Sequence, residues 1–269
     1  MLRVGNREFD TDHHTYIMGI LNVTPDSFSD GGKFNHYDAA MRHAGELIDG
    51  GTDILDIGGE STRPGHQQIS VQEEIERVVP VIEAVKKNFD VPVSIDTYKS
   101  AVAREALRAG ADLVNDIWGF LYDENMAALV REYDVACCLM HNRKEAVYEN
   151  FLEDMYQDLE KCIRAAKKAG IEDNKIMLDP GVGFGKTYEM NLDVMKHLDY
   201  FNGLGYPMLL GTSRKSMIGL TLGLPADERE EGTLVTTVMA VQSGYGFVRV
   251  HDAEKNRRAI QMTEAILKR

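Results

Sequence analysis

The chain has 269 residues, 43% hydrophobic and 27% charged, with a formal net charge of -13, a balance ordinary for a soluble globular protein and without the basic face that a nucleic-acid backbone or anionic membrane would need. No apolar run approaches the roughly 18 residues of a membrane helix, and the length allows one large α/β domain as readily as two.

The opening stretch MLRVGNREFDTDHHTY is polar and acidic where a secretory leader would carry an apolar core, so a cytosolic protein is expected. Eight short β-branched or apolar runs then follow: 15 to 21, 53 to 58, 91 to 96, 112 to 116, 135 to 141, 175 to 180, 207 to 211 and 247 to 250. Helical patterns lie between and after them, near 38 to 49, 71 to 88, 99 to 109, 124 to 133, 149 to 169, 190 to 199, 231 to 243 and 252 to 268. In the second, Val71, Ile75, Val78, Val79, Ile82 and Val85 form one stripe at a period of 3.6, Ser70 and Glu73 make a capping box, and Pro80 should kink the helix. Gly110 and Gly170 stand where helices should stop. This alternation predicts a single (β/α)8 barrel, a TIM barrel spanning residues 1–269, with a doubly wound open sheet as the alternative. Cys137, Cys138 and Cys162 form no C-x-x-C pair and lie in apolar surroundings, which predicts buried free thiols.

A barrel of this kind carries its chemistry at the carboxyl ends of its strands. The ends hold Asn22; GGESTRPG; Asp96; Asn115 and Asp116; Met140, His141 and Asn142; Asp179 with PGVGFGK; GTSRKS; and Arg249 with His251. Asp96, Asn115 and Asp179 close strands that must be covered on both faces, so each needs a partner or a ligand. Together they suit a flat heterocycle rich in N–H donors, while Asp96 and Asp116 taken singly also fit helix capping. GVGFGKT departs from the phosphate-loop pattern, since Pro180 stands where its first glycine belongs; the glycines would instead let the backbone and Phe184 approach a ligand. Arg249 and His251 share one side of a strand just before a helix, an anion site in the making. Arg214 and Lys215 could be a solvated basic turn. Arg63 fits a carboxylate or a diphosphate, and His141, with no second ligand nearby, reads as a hydrogen-bonded rim histidine. NVTPDSFSDGG, residues 22 to 32, is rich in turn formers yet carries Phe28, as a surface loop or a cover over a ligand would.

The blocks MGILNVTPDSFSDGG, TDILDIGGESTRPG, SIDT, ND, MH, LDPGVGFGK, GTSRKS and RVHD, in this order from about Tyr16 to Asp252, closely resemble those of the dihydropteroate synthase family. The resemblance implies a (β/α)8 enzyme of folate biosynthesis that joins a dihydropterin methyl diphosphate to para-aminobenzoate. Carried over, it places Asp96, Asn115, Ile117, Met140, Asp179, Phe184, Gly211 and Lys215 around the pterin, and Asn22, Arg249 and His251 around the diphosphate, with Mg2+ at Asn22. Thr62, Arg63, Pro64 and Ser216 fall to para-aminobenzoate. Phe28 and Asp30 fall in a mobile first loop and, with Lys215 and Arg249, are the candidates for the chemistry. A homodimer with small-molecule substrates is implied. The competing expectations are a pterin-binding methyltransferase, which would not need the basic groups of a diphosphate pocket, and a non-catalytic pterin-binding protein.

Overall fold

A parallel sheet buried on both faces must turn apolar side chains both inward and outward, and nearly every strand of this chain does so. The computed structural model describes residues 1–24, 33–61 and 68–268. After a short hairpin of β1 (Leu2–Val4) and β2 (Arg7–Phe9), the strands β3 (Tyr16–Asn22), β4 (Ile54–Gly58), β5 (Val93–Asp96), β6 (Leu113–Asp116), β7 (Ala136–Met140), β8 (Ile176–Asp179), β9 (Leu209–Leu210) and β10 (Phe247–Val250) form one parallel sheet. Its order is β8-β7-β6-β5-β4-β3-β10-β9, and a parallel bridge between Leu178 and Met208 joins the two ends. The sheet is therefore closed, as the alternation of patterns predicts, and all eight expected strands are present.

The helices α1 (Lys33–Asp49), α2 (Val71–Asn88), α3 (Ser100–Arg108), α4 (Met126–Tyr133), α5 (Phe151–Ala169), α6 (Tyr188–Lys196), α8 (Glu230–Gln242) and α9 (Ala253–Leu267) answer to the eight expected ones, and α7 (Ser216–Leu222) is a further short helix after β9. α2 begins as predicted, with the Ser70 hydroxyl accepting from the Glu73 amide at 3.1 Å, and it runs unbroken past Pro80. α5 ends on Gly170 in the left-handed region at φ 86°, where a side chain would be strained. α7 went unread because SMIGLTL is a single pair of turns, too short to show a helical period. Among the described residues no helix is long and apolar enough to cross a membrane.

Two cores divide the apolar residues. The larger lies between sheet and helices, and includes Val78, Ile82 and Val85 of the α2 stripe against Leu55, Ile57, Val93 and Ile95. The smaller fills the inside of the barrel's lower half with Met18, Ile54, Leu113, Ala136, Cys138, Met177, Leu209 and Phe247, and Leu2, Val4 and Phe9 of the hairpin close it from below. Burying each of those three hairpin side chains is worth about 1.5–3 kcal/mol. The hairpin was hidden in a polar stretch because three-residue strands offer too few positions for alternation to be visible. With the bottom sealed by apolar side chains, the inward positions of the upper half are free for polar groups.

Candidate active site

Period-two alternation decides which side chains enter the barrel. On β4 the inward set is Ile54, Asp56 and Gly58; on β5 it is Ser94 and Asp96; on β10 it is Phe247 and Arg249, with His251 just past the strand's end. The strand register then sets the levels: Asn22 lies opposite Gly58, Gly58 opposite Asp96, Asp96 opposite Asn115, and Met140 opposite Asp179. Asn22, Asp96 and Asn115 thus share one row, Asn115 is opposite Cys138, and Met140 and Asp179 pair two residues further along, so five predicted site residues stand at the upper mouth.

At the centre is Arg249. Its Nε donates to Asp56 Oδ2 and its guanidinium NH2 to Asp96 Oδ2, both at 2.6 Å. The Asn115 amide also donates to Asp56 Oδ2, at 3.3 Å. Burial pushes the Asp96 carboxyl up to about 7, with Arg249 pulling it down and the neighbouring Asp56 pushing it up again. Arg249 itself stays cationic, its affinity for the proton raised by the two carboxylates against the cost of burial. Asp56 Oδ1 and Asp96 Oδ1 are buried and accept no hydrogen bond from the described residues. Such acceptors are costly unless a donor reaches them.

Asp56 was missed by the sequence reading. The available signal was a charged residue in the middle of a buried run, two positions before Gly58 and hence on the same face. A carboxylate that is fully buried in a strand needs a cation, and this one has Arg249.

On the opposite wall Asp179 accepts from the Gly181 amide through Oδ1 at 2.7 Å. Gly211 leaves room beside it: a Cβ there would lie 3.3 Å from Asp179 Oδ2. Burial raises Asp179, and Lys215 is the largest influence pulling it back. Lys215 stands immediately before α7; its ammonium lies 4.6 Å from the centre of the Phe184 ring and donates to the Val182 carbonyl. Desolvation brings Lys215 down to about 8, against the pull of Asp179. Ile117, Met140 and Tyr98 form a small apolar cluster with Trp118 and Phe184 packed against it. The predicted ring-binding residues are therefore together: acceptors on two walls, and an apolar shelf with a cation between.

The anion side is arranged differently from the expectation. Asp252 caps α9 with its own carboxylate, accepting from the Lys255 amide at 3.0 Å, so that helix terminus already has its negative partner. Arg249 is turned into the barrel rather than toward the helix. His251 Nδ1 lies 2.9 Å from Ser213 Oγ, which also accepts from the His251 amide at 3.2 Å. Asn22 is at the end of β3, and its Oδ1 would be 3.7 Å from a Cβ on Gly58. Ser216 is exposed as the first residue of α7.

Several readings are sorted by these contacts. Asp116 is a local cap, accepting from the Trp118 and Phe120 amides at 2.8 and 2.9 Å, whereas Asp96 caps nothing and faces the site. Arg214 is an outlying basic residue 3.6 Å from Glu230, unlike Lys215 next to it. Gly181, Gly183 and Gly185 have φ of 66°, 90° and 57°, and the close approach they permit is to the chain itself: a Cβ on Gly181 would be 2.0 Å from the His141 carbonyl oxygen. All three cysteines are buried. Phe28, Asp30, Thr62, Arg63 and Pro64 lie outside the described residues.

The chain is similar to known proteins along its length. The model of the family "Pterin binding enzyme" matches residues 18–251. A dihydropteroate synthase of Clostridium beijerinckii is 58% identical over 269 residues, covering 100% of both chains. A solved dihydropteroate synthase of Clostridium difficile, crystallised in the presence of pteroic acid, is 50% identical with a TM-score of 0.95 over 97% of this chain and 100% of that one. The Xanthomonas albilineans enzyme solved with 4-aminobenzoic acid is 39% identical with a TM-score of 0.91, over 94% of this chain and 93% of that one. The chain belongs to the pterin-binding enzymes and, among them, to the dihydropteroate synthase family.

Proposed function

We propose that the chain transfers the exocyclic methylene of 7,8-dihydropterin-6-ylmethyl diphosphate to the amine of para-aminobenzoate, giving 7,8-dihydropteroate and diphosphate in tetrahydrofolate biosynthesis. The observation that carries this reading is the position of Arg249 between Asp56 and Asp96, where ring acceptors and the anion-binding cation share one wall. A pterin offers ring N–H and amino donors to Asp96, Asp179 and the carbonyl of Asn115, and its faces suit the shelf of Ile117, Met140 and Phe184. Lys215 would sit beside the ring, and Arg249, once released from Asp96 by the pterin donors, would turn to the diphosphate.

The chemistry is dissociative. The methylene C–O bond breaks with its electron pair going to the diphosphate oxygen, where Arg249 and His251 meet the developing charge. The electron-rich dihydropterin stabilises the methylene cation, with Asp30 as an electrostatic partner. The neutral arylamine, placed by Thr62, Arg63, Pro64 and Ser216, forms the C–N bond and loses its proton to solvent. Positioning carries that step, because an aniline nitrogen is nucleophilic near neutral pH. The segment with Phe28 would keep water from the cation.

Asn22 fits Mg2+ as a hard oxygen donor at the mouth. The described residues hold no group of three or more His, Cys, Asp or Glu able to bind a metal, so the substrate's diphosphate oxygens and water would complete the shell. When bound, the ion would neutralise diphosphate charge and ease its departure.

We place the protein in the cytosol as a homodimer. Supporting the second point, Leu220, Val235, Met262 and Ile266 are apolar and 60–67% exposed on α7, α8 and α9. Light scattering on a sizing column checks it.

Incubation with the pterin diphosphate, para-aminobenzoate and Mg2+ should yield dihydropteroate. Tight pterin binding without product would overturn the enzymatic reading in favour of a binding protein. Without para-aminobenzoate, an 18O label in the bridging position should scramble into the diphosphate; retention of the label would remove the dissociative step. Asp30→Ala should raise wasteful hydrolysis of the pterin substrate, and unchanged hydrolysis would count against the shielding role.

A further inference from the structure

The segment between β8 and α6 is tied from beneath by side chains that the proposed chemistry does not use. Lys186 Nζ donates to the carbonyls of Gly181 and Phe184 at 2.8 and 2.9 Å, and lies 2.9 Å from His141 Nδ1. His141 is 1% exposed, and its Nε2 faces Asp158 Oδ2 at 3.4 Å. Asp158 is held in turn by Arg143 Nε at 2.6 Å and Lys161 Nζ at 2.7 Å. Burial and the neighbouring Lys186 lower His141 to about 4, so the ring is neutral, accepting through Nδ1 and carrying its hydrogen on the nitrogen that faces Asp158. Desolvation pulls Lys186 well below the usual lysine range while Asp179 pushes it back, and Nζ has three acceptors for its three hydrogens.

Three glycines in the left-handed region give this segment little conformational preference of its own. Its contacts above the tie are those that place Lys215: the Val182 carbonyl accepts from Lys215 and the Phe184 ring lies under its ammonium. The His141 amide also donates to the Asp179 carbonyl at 2.9 Å, linking the tie to the backbone of Asp179.

We infer that Lys186 is a positioning residue for the pterin site: by fastening the Gly181 and Phe184 carbonyls to His141 it fixes the segment that aims Lys215 and Phe184 at the ring. This rests on the reading of Lys215 and Phe184 as pterin contacts. Nothing in the tie touches the reacting atoms.

The test uses the full chain with Lys186→Met, which keeps the stem and removes every donor, and Lys186→Gln, which keeps a donor for one carbonyl. Pterin affinity is read from the fluorescence of Trp118, the chain's only tryptophan, which packs against Ile117 and Met140, and from the KM of each substrate. Lys186→Met should weaken pterin binding and raise the KM for the pterin diphosphate by about 10- to 100-fold, the scale of a displacement near 1 Å in a binding group. The KM for para-aminobenzoate at saturating pterin should stay within about twofold, and Lys186→Gln should recover part of the loss. Tyr245→Phe, which removes a buried hydroxyl that donates to the Leu198 carbonyl at 3.1 Å, is the stability control and should bind pterin normally.

Wild-type pterin affinity in both Lys186 variants, with Lys215→Met losing it, would overturn the positioning role alone. Wild-type affinity in Lys215→Met would overturn the pterin-site reading beneath it. Equal rises in both KM values, matched by the Tyr245→Phe control, would reduce Lys186 to general stability.

Discussion

Gly181 gives the sharpest test of how the site is built, because two separate costs meet there and a second glycine isolates one of them. At φ 66° an added Cβ incurs the left-handed penalty of about 1–2 kcal/mol. It would also stand 2.0 Å from the backbone carbonyl oxygen of His141, which is part of the chain and cannot swing aside. Relief requires β7's end and the segment after β8 to separate by at least about 1 Å, and overpacking of that kind costs about 1–3 kcal/mol more. Gly205 has φ 78° but nothing within 4 Å of its Cβ position. Urea unfolding should therefore show Gly205→Ala losing about 1–2 kcal/mol and Gly181→Ala about 2–5 kcal/mol. Turnover should separate them further. Gly205→Ala should keep wild-type kinetics, while Gly181→Ala, displacing Met140, His141 and Phe184, should lose up to about 100-fold in kcat/KM for the pterin substrate. Equal stability losses and equal kinetics for the two variants would refute the close approach as the reason for a glycine at 181.

Four further outcomes follow from other groups. With Asp96 at about 7 and Lys215 at about 8, kcat/KM for the pterin substrate should fall below the first value, as Asp96 takes a proton and stops accepting, and above the second, as Lys215 loses its charge; a pH series on wild type and Lys215→Arg checks this, the alkaline limb vanishing in the variant. The same raised Asp96 makes the folded state hold its proton longer than the unfolded chain does, so its contribution reduces stability as pH rises from 3.8 to about 7, measurable by unfolding across that window. Lys99 bridges Glu60 and Glu74 at 2.7 and 2.8 Å and also reaches the Ile69 carbonyl at 2.9 Å; Lys99→Met should cost about 3–5 kcal/mol in urea unfolding, because two largely buried carboxylates lose their cation. Cys137, Cys138 and Cys162, whose thiols burial pushes up, should resist a thiol reagent until the protein is unfolded, three thiols then reacting.

The barrel was legible because its strands are strong signals: eight buried runs between amphipathic helices admit few other closures. The site was legible for a related reason. A polar residue at the end of an apolar run needs an explanation, and Asp96, Asn115, Asp179 and Arg249 each supplied one. What stayed hidden depended on three-dimensional pairing. Asp56 lies inside the apolar run 53 to 58, and its partner Arg249, nearly two hundred residues away in sequence, is 2.6 Å from it. Lys186 looked like the end of a glycine-rich loop. Its partners are two carbonyls and a histidine from another strand, and no spacing rule connects them.

The same pairing explains why an acidic protein can take a triply charged substrate. Asp56 and Asp96 sit on one guanidinium, and among the described residues no donor reaches the buried Oδ1 atom of either. Among the described residues the cluster thus has more acceptor oxygens than donors, each such acceptor worth about 1–3 kcal/mol when a donor arrives. On the proposed function, the pterin edge would supply donors to the carboxylates, and its diphosphate would supply a new partner for the arginine. Ring and anion would then reinforce each other, because Asp96 and Arg249 would each need a new partner on separating. A pterin lacking the diphosphate should bind with Arg249 still held by Asp56, and inorganic diphosphate alone should bind weakly. Titration calorimetry of the pterin with and without diphosphate present measures that coupling, and independent binding of the two fragments would show that Arg249 does not change partners.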